Sequence, residues 1–145
     1  MKISTRTRYG VRLMIALARN YGQGMVFLKD IAAEEAISEK YLSQIIIPLR
    51  SMGLVVSTRG AYGGYRLAKP PVEITLKDII EVIEGLQIID CLKNSTACER
   101  ISVCPTREVW QELSDKIAET LASFSLDELA QTGTEKMKNA TKQKS

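Results

Sequence analysis

Three cysteines, Cys91, Cys98 and Cys104, fall within 14 residues of a 145-residue chain and are the only thiols it has. Separated by six and five residues in one segment, they can converge as soft anionic ligands on iron. An odd number of cysteines, crowded together, argues for ligation or redox chemistry rather than structural disulfides. The spacing lacks the paired C-x-x-C of a zinc ribbon, so zinc is the poorer match. The chain has no histidine, which excludes Ser-His-Asp and Cys-His nucleophilic sites and removes the usual second ligand type for zinc. Cys104 stands where a helix begins, and the positive end of the helix dipole there favours a thiolate. Three free thiols with no shared partner are the plain alternative.

A second set of residues has the chemistry to read a nucleic acid. A helix over residues 39–51, with Ser38 as its cap, buries Leu42, Ile45, Ile46 and Leu49 and turns Glu39, Lys40, Tyr41, Ser43 and Gln44 the other way. Gln44 can donate and accept together, which suits adenine edges, and Lys40 can reach guanine or phosphate. The glycine-rich stretch Arg59-Gly60-Ala61-Tyr62-Gly63-Gly64-Tyr65 follows. It permits a tight reversal between strands at 54–57 and 65–68, with Arg59 at the tip for a narrow minor groove. Ser38 and Tyr62 complete the expected DNA-facing set. The wet face of an ordinary helix is the alternative for the helix alone. Charge adds weight to the DNA reading: residues 1–70 carry 11 Lys/Arg against 4 Asp/Glu, and the first acidic residue is Asp30. Residues 71–145 carry 9 against 13, so a basic half and an acidic half give the net +3. A basic half of this kind attracts a phosphate backbone through counterion release.

The elements that must position these groups follow from periodicity. Helices are expected over 9–21, 28–36, 39–51 and 75–85, and Thr75 with Asp78 is spaced as a capping box. Residues 25–27 can form a short strand, and Pro48 should kink the last turn of its helix. Residues 86–104 break periodicity and form the loop that holds the cysteines. Pro105 suits the first position of a long helix to about residue 123, with Val109, Trp110, Leu113, Ile117, Leu121 and Phe124 as its apolar stripe. Ser125 and Glu128 cap a short last helix, and the lysine-rich segment from 132 reads as a frayed tail. The fold class expected is mainly α with a small β-hairpin wing: a winged helix-turn-helix over 1–71, a helix and cysteine loop over 72–104, a dimerisation helix and short terminal helix over 105–131, and a flexible tail over 132–145. Trp110, Leu113, Ile117 and Leu121 would meet a second copy, although a core helix within one chain would show the same stripe.

These segments resemble the bacterial iron–sulfur cluster regulator IscR and its relatives. The likeness is carried by RYGVRLMIALA, by ISEKYLSQIIIPLRSMGLVVSTRGAYGGYRLAKP, and by the cysteines leading into PTREVWQELSD, and it covers roughly residues 1–130. It implies a homodimer joined through the long helix, an iron–sulfur cluster near that seam with 2Fe-2S favoured over 4Fe-4S, and cluster-donating proteins as further partners. It implies DNA contacts at Lys40, Tyr41, Gln44 and Arg59, and a serine, Ser43, at a position that bears on site preference. Two departures stand out: the first cysteine gap is six residues rather than five, and Arg107 occupies the place of a histidine ligand. A guanidinium is a poor metal ligand, and residues 1–29 hold no carboxylate. Glu108, Asp90, Glu99, an external thiol or solvent remain as the fourth ligand, with Glu108 favoured because it follows Cys104 on the first helical turn; Arg107 would then offset negative charge.

No apolar run approaches the roughly 20 residues of a membrane span, and the N-terminus lacks the features of a signal peptide, so a cytoplasmic location is expected. No acid–base or nucleophile constellation suggests an enzyme. The expected function is an iron–sulfur-sensing regulator, a repressor of cluster-assembly genes acting on palindromic promoter DNA. A cluster-free thiol sensor or a partner-controlled regulator of the same fold is the alternative, and an electron-transfer protein is a third.

Overall fold

Helix α1 (Thr5–Arg19) begins a turn before its apolar stripe, because the Ser4 hydroxyl accepts from the Thr7 N–H at 3.1 Å. Here and below the fold is that of a computed structural model describing residues 2–144. Helix α2 (Leu28–Glu35) ends at Ala36, whose φ of 53° lets the chain turn sharply into α3 (Glu39–Ser51). Ser38 caps α3 as its sequence position requires, accepting from the Tyr41 N–H at 3.2 Å. Pro48 lies inside α3, which nevertheless continues to Ser51. Strands β1 (Val55–Thr58) and β2 (Gly64–Leu67) pair antiparallel, Val55 opposite Leu67 and Thr58 opposite Gly64. Val26 adds a single bridge to Tyr65, with N–H···O distances of 2.8 Å in both directions. The expected strand at 25–27 is reduced to that one pair.

Two glycines make the wing possible. A Cβ on Gly63 would stand 2.1 Å from the Thr58 carbonyl oxygen, and one on Gly64 would stand 2.6 Å from that of Val26. Gly64 also has a φ of +130°, which side-chain-bearing residues rarely adopt.

Helix α4 (Leu76–Ile83) starts with the expected capping box, Thr75 and Asp78 each accepting from the other's backbone N–H. A short α5 (Asp90–Lys93) and a 3-10 turn (Ile101–Val103) then lead to α6 (Arg107–Ala122). Pro105 does not open α6: Thr106 is the N-cap, so the proline precedes the helix instead of occupying its first position. Helix α7 (Leu126–Lys144) starts with the second box, Ser125 accepting from Glu128 and Glu128 from Ser125. The chain segments before α4 and α7 run side by side, joined by Leu76 N–H to Phe124 O at 2.9 Å and Leu126 N–H to Ile74 O at 2.7 Å.

The core crosses the boundary expected at residue 71. Leu13, Met14 and Leu17 of α1 and Leu42, Ile45 and Leu49 of α3 share one apolar cluster with Ile74, Ile79, Leu126 and Ala130. The segment expected as a frayed tail over 132–145 is helical through Lys144. Its sequence lacks an apolar stripe, but its base packs on α1, where Gly133 lies 3.9 Å from Ile15 and Arg19 measured from an ideal Cβ. Met137 Sδ accepts from Arg19 at 3.1 Å, while Asp127 and Glu128 in the first turn and Lys142 and Lys144 in the last complement the helix dipole. No described helix is long and apolar enough to cross a membrane.

Candidate DNA-reading surface and cysteine segment

Burial of Leu42, Ile45, Ile46 and Leu49 against the core rotates α3 so that Ser38, Lys40, Ser43 and Gln44 face solvent together. Ser43 returns its hydroxyl proton to the Lys40 carbonyl at 2.6 Å and keeps its lone pairs for an outside donor. Ser38 uses its oxygen as the cap, leaving its proton to donate. Tyr41 is less exposed than the other α3 residues expected to face DNA. It is half-buried, its ring edge-on to Tyr9 with centroids 5.7 Å apart. Sequence reading missed Ile47, which is 53% exposed on the same face. The signal was present, since Lys40, Ser43, Gln44 and Ile47 follow the i, i+3, i+4, i+7 rule. Arg59 and Tyr62 are exposed at the wing tip, Tyr62 at 96%. Arg50 of α3 donates to Ser57 of β1 at 3.3 Å and so ties the wing to the helix it flanks.

The cysteines occupy the segment between α4 and α6. Cys91 is half-buried on α5, Cys98 is exposed, and Cys104 is half-buried just before α6. The turn between the first two is shaped by Asn94, whose side-chain oxygen accepts from the Thr96 N–H at 3.0 Å and hydroxyl at 2.7 Å. Hydrogen bonds hold the Cys104 thiol below its ordinary value of 9.0, from the Thr106 hydroxyl first and then from backbone N–H groups of Thr106 and Arg107; burial and the Glu108 carboxylate push the other way. The groups at the start of α6 therefore favour a thiolate, as its position suggested. Arg107 has a buried Nε with no hydrogen-bond partner. As donors, three thiols and a neighbouring carboxylate suit iron. Their arrangement in this conformation does not: among the described residues, no three Cys, His, Asp or Glu side chains are grouped to hold a metal ion.

Helix α6 presents most of its apolar stripe to solvent. Only Ser114 is buried on it, donating to the Leu86 carbonyl at 3.1 Å. Val109, Trp110 and Leu113 are exposed at 54%, 38% and 37%, and the half-buried Ile117 and Leu121 line a groove of about 360 Å³ with Ile3, Ile80, Leu86 and Ile88.

A helix-turn-helix followed by a glycine-built wing is the architecture of a DNA-binding regulator, and comparison with known proteins agrees. Residues 3–132 match Rrf2, described as an iron-dependent transcriptional regulator. The chain belongs to the Rrf2 family. It is 44% identical to the HTH-type transcriptional regulator CymR of Bacillus subtilis over 90% of each chain. The solved structure of that protein, called the global cysteine regulator of B. subtilis, superposes with a TM-score of 0.74 over 91% of this chain and 98% of its own. The structure of T. potens IscR gives the same TM-score at 40% identity, covering 92% and 88%. These Rrf2 neighbours share the mainly helical fold with its two-stranded wing, as expected from sequence. Family and relatives are transcription regulators, so this chain is a regulator and not an enzyme.

Proposed function

We propose that this Rrf2 regulator binds roughly palindromic promoter DNA as a homodimer in the cytoplasm and represses genes of iron–sulfur cluster assembly. In this reading Cys91, Cys98 and Cys104 hold an iron–sulfur cluster, 2Fe-2S in preference to 4Fe-4S, delivered by cluster-donating proteins. Glu108 is the protein's candidate fourth ligand. The observation that carries the reading is the place of the three thiols on the one segment between two anchored points. On one side, Thr7 of α1 donates to Glu84 at the end of α4 at 2.6 Å; on the other, Ser114 of α6 holds the Leu86 carbonyl. A bound cluster supplies an iron- and redox-sensitive link among the thiols. The chain's own residues do the rest. Drawing the 91–104 segment together pulls on the α6 start, and Ser114 and Glu84 pass the displacement to α4 and α1, against which α3 is packed. DNA affinity then changes by the difference in stability between the two arrangements, typically about 1–3 kcal/mol.

Dimerisation is supported by the apolar face of α6 and the groove beside it, which a second α6 would cover. Two-fold symmetry would then match half-sites about one helical turn, or a multiple, apart. A second reading has its own support: Cys98 is exposed, Cys104 favours the thiolate, and the thiols are not gathered for metal, so the segment would sense thiol oxidation without iron. Anaerobic purification with iron and sulfide counts separates the two. The cluster reading expects both elements and their loss in Cys98→Ala. Colourless protein without sulfide, responding to oxidants alone, would establish the second reading.

A further inference from the structure

The surface that meets DNA does not end at α3 and the wing. We infer that the N-terminal half of α1 is a second contact, with the Arg8 guanidinium set on the phosphate backbone beside the groove that α3 enters. The inference rests on the proposed DNA binding and extends it to a helix outside the reading head and wing.

The Tyr9–Tyr41 edge contact, 5.7 Å between ring centroids, seats the second turn of α1 against the first turn of α3. Tyr41 is flanked on α3 by Lys40 and, one turn on, by Gln44, so the neighbouring surface of α1 continues the polar face. That surface is made by Thr5, Arg8, Tyr9 and Arg12, which share one side of the helix by the i, i+3, i+4, i+7 rule. Arg12 is committed: its guanidinium lies 5.5 Å from the Tyr9 ring centroid, its Nε meets Glu35 Oε2 at 2.9 Å, and it also donates to the Glu35 carbonyl. Arg8 is exposed and, among the described residues, makes only a neutral hydrogen bond, to the Thr5 hydroxyl at 3.1 Å, which leaves its charge uncompensated by them. Lys2 and Arg6 are exposed on the same terminal stretch, and no acidic residue precedes Asp30. Arg12, braced by Glu35, fixes the aromatic pair that sets Arg8 at the required place. An uncompensated guanidinium beside a major-groove helix matches the anionic oxygens of a phosphodiester.

Binding to phosphate has a signature distinct from base reading, because it releases counterions and carries no sequence information. The test measures affinity for an operator duplex and a scrambled duplex across a salt series, in the full chain, for the parent, Arg8→Ala, Arg8→Lys and Gln44→Ala. Arg8→Ala should weaken binding to both duplexes by the same factor. It should also flatten the slope of log affinity against log salt by about 0.9 for each phosphate no longer neutralised, hence about 1.8 for a dimer. Arg8→Lys should restore the slope, and Gln44→Ala should narrow the gap between duplexes with the slope retained. A parent-like slope in a folded Arg8→Ala protein, checked by its thermal melt, overturns the inference while leaving DNA binding in place. Failure of the parent to bind any duplex overturns both.

Discussion

Cys104 is the residue at which local chemistry and position meet. Its thiol takes hydrogen bonds from the Thr106 hydroxyl and from the backbone at the α6 start, and its pKa is lowered. The thiolate therefore persists to lower pH than in an ordinary cysteine, and reactivity is lost only as pH falls through that lowered value. In metal-free, reduced protein, the rate of Cys104 alkylation by iodoacetamide should rise with pH earlier than that of a free thiol. Thr106→Val should move the profile upward; an unchanged profile in that variant would remove the hydroxyl from the account. The thiolate tendency was legible in sequence from the helix start, but its source was not, because it lies in Thr106 rather than in the dipole alone. Tyr41 shows the limit of the helical wheel. The wheel puts it at the margin of the polar face, and its half-buried edge contact with Tyr9, from another helix, is not written in the local spacing.

At the scale of elements, what could be read was what is locally encoded. Helix α3 with its Ser38 cap, both capping boxes and the wing follow from short-range spacing of serine, threonine, acidic and glycine residues. What could not be read depends on partners far along the chain. The middle of α7 is held by α1 through Arg19 and Met137, a contact between residues 118 positions apart, and the polar last turns continue beyond it. The share that Ile74, Ile79 and Leu126 take in the core of α1 and α3 was not legible for the same reason. The wing gives an element-level test. Gly64→Ala places a methyl against the Val26 carbonyl at a φ that alanine resists. It should cost about 2 kcal/mol or more in denaturant unfolding. The same substitution should weaken operator binding, because it disturbs the bridge from Val26 to Tyr65 that ties β2 to the chain before α2. Parent-like stability in that variant would show that the strand can shift without penalty.

For the whole molecule, the proposed function requires that events at 91–104 reach two DNA-reading heads at once. The mainly α fold with its wing supplies the heads, and the exposed stripe of α6 is the surface proposed to join them. Leu113→Glu, on that stripe, should yield a folded monomer by sedimentation equilibrium, with operator affinity reduced at least tenfold because two half-sites are no longer bound together. A parent-like oligomer would show that α6 is not the seam. The cysteine segment was legible as a unit from spacing alone, whereas its ungathered arrangement was not, because spacing along a chain does not fix distance in space. The most direct test of the account is operator affinity, at fixed salt and without oxygen, for protein as isolated and after iron and sulfide have been stripped. The two forms should differ by about five- to 150-fold, a shift abolished in Cys98→Ala. Equal affinity of an iron- and sulfide-containing preparation and its stripped counterpart would contradict it.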